Sequence, residues 1–436
     1  MKPTIGLINL GCAKNLVDAE IMLGILHKNG YNISLDDKMA DIILVNTCSF
    51  IKEAEKESVK AIVRLAETGK KLIITGCLAQ KYKHELMEAV PEALAVIGTG
   101  DIDNIYNIVK SISSKKKTVY NVSDTPEYTY NEKADRFQIT VGSSSYIKIA
   151  EGCDYSCSYC IIPTLRGSYR SRTIESIVKE AKKLGKKGVN EVVLIAQDTT
   201  SYGKDIYGKP SLSKLLEKLN DIEDISWIRI MYTYPSLIND KLIKVIASLD
   251  KVVKYIDIPL QHSHPEILKL MNRPSIDNSN LIKKLRDNIP DIAIRTAFIT
   301  GFPGESEEHY EHLYNFMKKH KFDKLGVFQY SREKNTASYS LKEQVPAKIK
   351  KIRHKELMKL QQTISKEVNE SFIGRTIPAI VETLTSSGKI IGRSYRDAPE
   401  IDGLVYINSE KALLPGDIVD VKITEASEYD LYGTDI

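Results

Sequence analysis

Tyr146-Ile147-Lys148-Ile149-Ala150 runs straight into Glu151-Gly152-Cys153, and Cys157 and Cys160 complete a C-x3-C-x2-C pattern on the same loop. The apolar run reads as a strand, so the loop places three thiols just beyond its carboxy-terminal end. Five further strand candidates follow, at 191–196, 227–231, 255–260, 294–299 and 324–329. Helical patterns lie between them; Ile174, Ile177, Val178, Ala181 and Leu184 form one apolar stripe. Six consecutive βα units predict a partial barrel, two units short of a closed eight-stranded one. Its functional residues are then expected on the loops that follow the strands.

The flanking sequence divides into other units. Short runs rich in Ile, Leu and Val at 4–10, 42–46 and 72–75 alternate with helical patterns, and Leu16, Ala19, Leu23 and Leu26 share a helix face. Residues 1–112 therefore read as an α/β domain with a parallel sheet. Residues 113–140 contain Lys115, Lys116, Lys117 and Pro126 with no sustained period, and read as a linker or loosely packed crossing segment. The barrel unit spans 141–369 and ends in a charged helix from 348, with Leu357, Leu360 and Ile364 as its buried spine. Residues 370–436 show short Val/Ile runs and turn signals at Ser387-Gly388, Asp402-Gly403 and Pro415-Gly416-Asp417, as expected of a small antiparallel β-barrel.

At 436 residues, 42% hydrophobic and 27% charged, the chain is an ordinary globular sequence long enough for a large core without staples. Collagenous and wholly disordered classes are excluded, and no apolar run approaches the length of a transmembrane helix. The start shows no signal peptide; Leu10-Gly11-Cys12 has a lipoprotein-like look, but Asn9 breaks it. A cytoplasmic location is expected, where six cysteines mean metal or catalysis before disulfides. The net charge of +5 hides an asymmetry: residues 368–436 carry 6 basic and 12 acidic side chains, leaving 56 and 45 for the rest.

Three thiolates on one loop can hold three irons of a [4Fe–4S] cube, leaving the fourth iron open to a substrate. A structural zinc site is the alternative, but zinc ribbons pair their ligands, and no His or Cys follows within reach. Cys12, Cys48 and Cys77 are separated by 36 and 29 residues, and each ends a predicted parallel strand. Parallel strands end on one edge, so these thiols converge on one rim. Gly11 and Gly76 would let backbone approach whatever sits there. A second cluster with an open iron is one reading; three small buried side chains is the other.

Glu151-Gly152-Cys153, Cys157, Tyr159-Cys160-Ile161-Ile162-Pro163, Arg166-Gly167 and Arg170-Ser171-Arg172 resemble the core of the radical S-adenosylmethionine methylthiotransferases. The resemblance covers the whole chain: a three-cysteine amino-terminal domain, a radical core and a carboxy-terminal TRAM domain. Several stretches are similar to the RimO branch: Leu10 to Asp18, Pro259-Leu260-Gln261-His262, Gly326-Val327-Phe328, Arg393-Ser394, and Asp397 to Gly403. Ala13 departs from the proline common in that branch. The MiaB branch would typically show Gly-Cys-Gln-Met-Asn over residues 11–15 and Pro-Val-Gln-Ser-Gly over 259–263.

The resemblance implies two [4Fe–4S] clusters, one on Cys12, Cys48 and Cys77 and one on Cys153, Cys157 and Cys160, the latter binding S-adenosylmethionine. It implies a 5′-deoxyadenosyl radical that takes hydrogen from the β-carbon of one aspartate in the twelfth small-subunit ribosomal protein, a basic partner. Sulfur from the first cluster and a methyl group from a second S-adenosylmethionine complete a 3-methylthio-aspartyl product. Hydrogen-atom abstraction suits this carbon, because removing a proton would build a second negative charge beside the carboxylate. An electron donor and a sulfur donor are required, and no motif identifies either; nucleic acid enters only through the ribosome.

For the cosubstrate pocket the candidates are Tyr159, Gln197, Arg295 and Gly301. Tyr159 is either a backbone contact to adenine or a wall residue. Gln197 ends a strand within reach of the amino acid moiety. Gly301 lies in Ile299-Thr300-Gly301-Phe302-Pro303-Gly304-Glu305, either an adenine contact or a plain βα turn. Arg295 is a pocket residue or half of an ion pair inside the barrel. His262 is expected to be structural. Arg166, Arg170 and Arg172 either neutralise a cluster or grip an acidic substrate, or form a solvated basic face. No residue beyond the clusters is assigned a catalytic role. Two other functions are weighed: a transfer-RNA adenosine methylthiotransferase, disfavoured by the acidic last domain where phosphate binding needs cations, and a non-enzymatic iron–sulfur sensor that binds ribosomes.

Overall fold

The Ile/Leu/Val runs form strands buried on both faces, which is why they read as continuous rather than alternating. The structure is a computed structural model describing residues 2–115, 118–130, 133–134, 136–139, 142–386 and 388–436. Lys116, Lys117 and Ser387 of the motifs above lie outside the described residues. The first sheet contains β1 (Thr4–Asn9), β2 (Asn32–Ser34), β3 (Ile42–Thr47), β4 (Lys71–Gly76), β5 (Ala93–Ile97) and β6 (Val119–Asn121), in the order β2-β1-β3-β4-β5-β6. Every ladder is parallel. One face, with Ile43, Val45, Leu72 and Ile74, packs on Ile62, Leu65 and Leu78. The other, with Ile5, Leu44 and Ile73, packs on the helix Ala13–Lys28.

That helix buries more than its predicted stripe. Leu16, Ala19, Leu23 and Leu26 are buried, and so are Asn15, Asp18, Glu20 and Gly24, because a second layer covers its far side. That layer is the central sheet: β7 (Ser144–Lys148), β10 (Glu191–Ile195), β11 (Trp227–Ile230), β12 (Val252–Asp257), β13 (Ala293–Thr300) and β14 (Lys324–Gln329), ordered β14-β13-β12-β11-β10-β7 and all parallel. The partial barrel of six units is thus present.

Three details depart from the expectations. The strand read at 255–260 begins earlier and ends at Asp257; Pro259 has no N–H for a ladder. The strand read at 146–150 splits: β7 stops at Lys148, and β8 (Ala150–Glu151) pairs antiparallel with β9 (Arg170–Ser171), closing the cysteine loop at its base. The segment 113–140 is corrected at its start, where β6 is the edge strand of the first sheet. A three-residue strand is too short for periodicity to reveal. Further along, Tyr130 is buried, and Arg136 pairs with Glu20 at 2.6 Å and Glu180 at 2.9 Å.

The charged helix Ala347–Glu370 buries Leu357 and Ile364 and leads into β15 (Thr376–Leu384), β16 (Ile390–Ser394), β17 (Val405–Asn408), β18 (Ile418–Ala426) and β19 (Leu431–Asp435). These close a barrel in the order β15-β16-β17-β19-β18. Four of its ladders are antiparallel, and β17 with β19 is parallel, because five strands cannot close with every neighbour reversed. The connection between β16 and β17 enters the central barrel at the amino-terminal ends of its strands. Ala398 is fully buried among Tyr146, Trp227 and Tyr255. Arg393 pairs with Glu191 at 2.5 Å, Arg396 with Asp323 at 2.8 Å, and the Tyr255 hydroxyl donates to Asp402 at 2.8 Å. Burial pushes the Glu191 carboxyl up, but Arg229 and Arg393 outweigh it and hold it at about 2. No helix among the described residues is long and apolar enough to cross a membrane.

Candidate functional site

Cys12, Cys48 and Cys77 follow β1, β3 and β4 on the same edge of the first sheet. Three asparagines tie these strand ends together. Asn46 donates to Asn9 Oδ1 at 2.8 Å and to the Asn15 carbonyl at 2.6 Å, and Asn15 donates to the Thr47 carbonyl at 2.8 Å. The Cys12 and Cys77 thiols each lie 3.8 Å from one atom, Asn15 Oδ1. Cys48 is pinned through its backbone, which exchanges two 3.0 Å hydrogen bonds with the Ser58 hydroxyl. Burial, helped by the neighbouring Cys77 and Cys12, pushes the Cys48 thiol up to about 11. The space beside Gly11 and Gly76 is taken by protein. A Cβ on Gly11 would meet the Asn15 side chain, and one on Gly76, at φ +92°, would meet the Thr47 carbonyl at 2.4 Å. The hydroxyls of Ser49 and Thr75, each adjacent in sequence to this rim, are buried without a hydrogen-bond partner.

The second triad is shaped by local bonds. Cys153 N–H donates to the Gly167 carbonyl at 3.0 Å and Cys160 N–H to the Cys157 carbonyl at 3.0 Å. Ser158 N–H donates to the Met271 carbonyl, Asn272 donates to Ser156, and Ser338 N–H donates to the Ser158 carbonyl, clamping the loop to its neighbours. Burial pushes Cys153 up to about 11 and Cys160 to about 12, with Cys157 adding to both. All six cysteines are free thiols. Arg273 stands beside Cys157, its guanidinium 4.3 Å from the centre of the Tyr234 ring. Sequence reasoning missed it; a lone arginine on a loop carries no pattern.

Of the pocket candidates, Tyr159 packs in an apolar cluster with Ile267, Met271, Ile299 and Phe302. Gln197 donates to Glu151 at 2.6 Å, and its other amide atom, Oε1, is buried with no partner. Gly301 adjoins the Tyr159 cluster, but its own Cα, at φ +74°, faces the stem of Lys350, and its N–H donates to Glu305. Arg295 is engaged by Asp257 at 2.9 Å and Asp402 at 3.4 Å. His262 is fully buried, 3.5 Å from Glu305, and burial lowers its pKa. Arg166 and Arg172 are not a solvated face: both are buried, and Arg172 pairs with Glu180 at 2.5 Å.

The two triads meet. Cys77 packs on Ile161 and Leu165, immediately after Cys160. Arg166 reaches across to Cys77 Sγ at 3.6 Å and to Asp18 at 2.6 Å, and also touches Asn15 and Glu151. Lys148 joins Asp18 and Glu151, so two cations and two carboxylates form a buried network between the layers. Burial pushes the Glu151 carboxyl up, but Lys148 and Arg166 outweigh it and hold it at about 2. Burial pushes the Cys77 thiol up, and the arginine charge beside it offsets part of that rise.

A partial barrel with a three-cysteine loop after its first strand and an orphaned amide acceptor at its mouth defines a radical S-adenosylmethionine enzyme. Residues 147–317 match the Radical SAM superfamily, residues 4–98 the uncharacterized protein family UPF0004, and residues 373–436 the TRAM domain. The ribosomal protein uS12 methylthiotransferase RimO of Rippkaea orientalis is 48% identical over 99% of this chain and 96% of its own length. The RimO of Crocosphaera subtropica is 48% identical over 99% of both. The chain belongs to the RimO family of methylthiotransferases. Among solved structures, the radical S-adenosylmethionine methyltransferase TsrM of Kitasatospora setae shares the fold at a TM-score of 0.56 and 14% identity, covering 86% of this chain and 79% of that one. The cobalamin-dependent S-adenosylmethionine radical enzyme OxsB superposes at 0.54 and 13% identity, covering 83% and 57%. The chain is a transferase of the radical type, with a [4Fe–4S] cluster and S-adenosylmethionine as cofactors.

Proposed function

We propose that this protein methylthiolates the β-carbon of an aspartate in ribosomal protein uS12, with one [4Fe–4S] cluster on each triad and two S-adenosylmethionine molecules per product. The observation that supports the reading is the contact of Cys77 with Ile161 and Leu165, on the segment that follows Cys160. When bound, these groups supply the hydrogen-abstracting radical, the sulfur and the methyl group.

The chain's own residues position and exclude. Cys153, Cys157 and Cys160 ligate one cluster, and Cys12, Cys48 and Cys77 the other. Buried Gln197 Oε1 offers an acceptor to an ammonium group such as that of S-adenosylmethionine. The apolar cluster around Tyr159, Ile299 and Phe302 offers a wall for the adenine. Arg295, held by Asp257 and Asp402, and Gly301, filled by Lys350, serve as scaffold. The Lys148–Asp18–Glu151–Arg166 network fills the space behind both triads and keeps water out. On the last barrel Glu410, Asp417, Asp420 and Glu425 are exposed, which suits a basic protein partner.

The test is mass spectrometry of uS12 and of transfer RNA from a strain lacking this gene. The expected result is loss of the methylthio group from uS12 with modified transfer RNA unchanged. Intact uS12 modification with loss of methylthio-adenosine would overturn the proposal.

A further inference from the structure

Lys14 lies close to Cys12 and differs from the paired cations around it. Lys148, Arg166, Arg172 and Arg295 each have a carboxylate partner. Lys14 has none within 4 Å among the described residues. Its ammonium donates one long hydrogen bond, 3.3 Å, to the Ala196 carbonyl and lies 3.4 Å over the Tyr232 ring. An ammonium has three donors, so two are uncommitted. Tyr232 presents its ring from a strained left-handed conformation, φ +59°, with its N–H on Asp257.

The place of this cation matters as much as its lack of a partner. Lys14 is two residues from Cys12, and its acceptor Ala196 directly precedes Gln197. Cys12 is exposed, and Lys14, Gln197 and Tyr232 are partly exposed, whereas the paired cations Lys148, Arg166 and Arg172 are buried. A ligand can therefore reach the ammonium from the open side. A cation drawn against an aromatic ring without a counter-ion is poised for an anion.

We propose that Lys14 receives the side-chain carboxylate of the substrate aspartate. This rests on the substrate reading above. The carboxylate is bonded to the β-carbon, so one ion pair fixes the reacting carbon between the triads and rejects an amide in its place.

The test uses the full-length protein with its clusters reconstituted anaerobically. Binding of two synthetic uS12 peptides is measured by fluorescence anisotropy, one with the target aspartate and one with asparagine there. The parent should bind the aspartate peptide on the order of 10-fold more tightly. Lys14→Gln should bind both peptides with the weaker affinity, and Lys14→Arg should keep the preference. Iron content and S-adenosylmethionine affinity of Lys14→Gln should match the parent. An undiminished preference in Lys14→Gln overturns this inference and leaves the substrate reading standing. So does weakened S-adenosylmethionine binding with peptide binding unchanged, which would assign the cation to the cosubstrate carboxylate, and so does a loss of iron. A parent protein that binds neither peptide overturns both.

Discussion

Cys153, Cys157 and Cys160 sit on one short loop between β8 and β9, held by hydrogen bonds that begin and end close by. Cys12, Cys48 and Cys77 come from three strand ends, and their approach depends on the parallel order of β1, β3 and β4 and on the asparagines that tie those ends. The loop triad needs a small piece of chain in the right shape. The rim triad needs the whole first sheet. Damage to the sheet's edge should therefore disable one triad and spare the other, while damage to the barrel loop should do the reverse.

The largest expected effect is that of Cys157→Ala. Formation of 5′-deoxyadenosine should fall to background and iron to about half, since the rim triad keeps its own share. A variant that cleaves S-adenosylmethionine at the parental rate would break the assignment. Cys48→Ala should remove the methylthio product and about half the iron while 5′-deoxyadenosine still forms. Loss of both activities together would show that the triads are not independent.

Away from both triads, Glu191 of the central barrel holds the last domain through Arg393. The Glu191 carboxyl lies at about 2 against an ordinary 4.5. A depressed carboxyl stabilises the fold above its unfolded value, and that stability is lost as pH falls from about 4.5 to about 2. The whole contribution is on the order of 3 kcal/mol. Glu191→Gln should therefore flatten the acid limb of the stability curve measured by denaturant titration. An acid limb as steep as the parent's would remove this ion pair from the account. A smaller and more selective effect is expected of Asn46→Ala. It leaves buried partners on Asn9 and Asn15 unsatisfied at a cost of about 1–3 kcal/mol. Iron on the rim triad should fall, with the spectrum of the loop triad unchanged.

Much of the architecture was legible in the residues. The six strands of the central barrel were all located, because each is a short apolar run between helical stripes. The loop triad was legible from spacing, and the rim triad from the position of each cysteine after a predicted parallel strand. Other features had no local signature. β6 is three residues long. Arg273 and Lys14 are single cations whose surroundings come from distant segments. Asp397 to Gly403 is a mark of the branch in the sequence, and in the fold part of it fills the central barrel: Ala398 is buried there and Asp402 meets Tyr255 and Arg295.

By itself the sequence determined which residues could ligate metal, which segments would be strands, and the charge of the last domain. These depend on residue type and on periods of two and 3.6, which are local properties of the chain. Only the tertiary structure decided that Cys77 of one triad packs against Ile161, the residue after Cys160 of the other. That required the helix Ala13–Lys28 to be buried on both sides and the charges of Asp18, Lys148, Glu151 and Arg166 to cancel across the layers. It also decided that Lys14 would have no carboxylate partner within 4 Å among the described residues. Whether a lysine is paired is set by what folds against it, and for Lys14 the neighbours are Ala196 and Tyr232, some two hundred residues away.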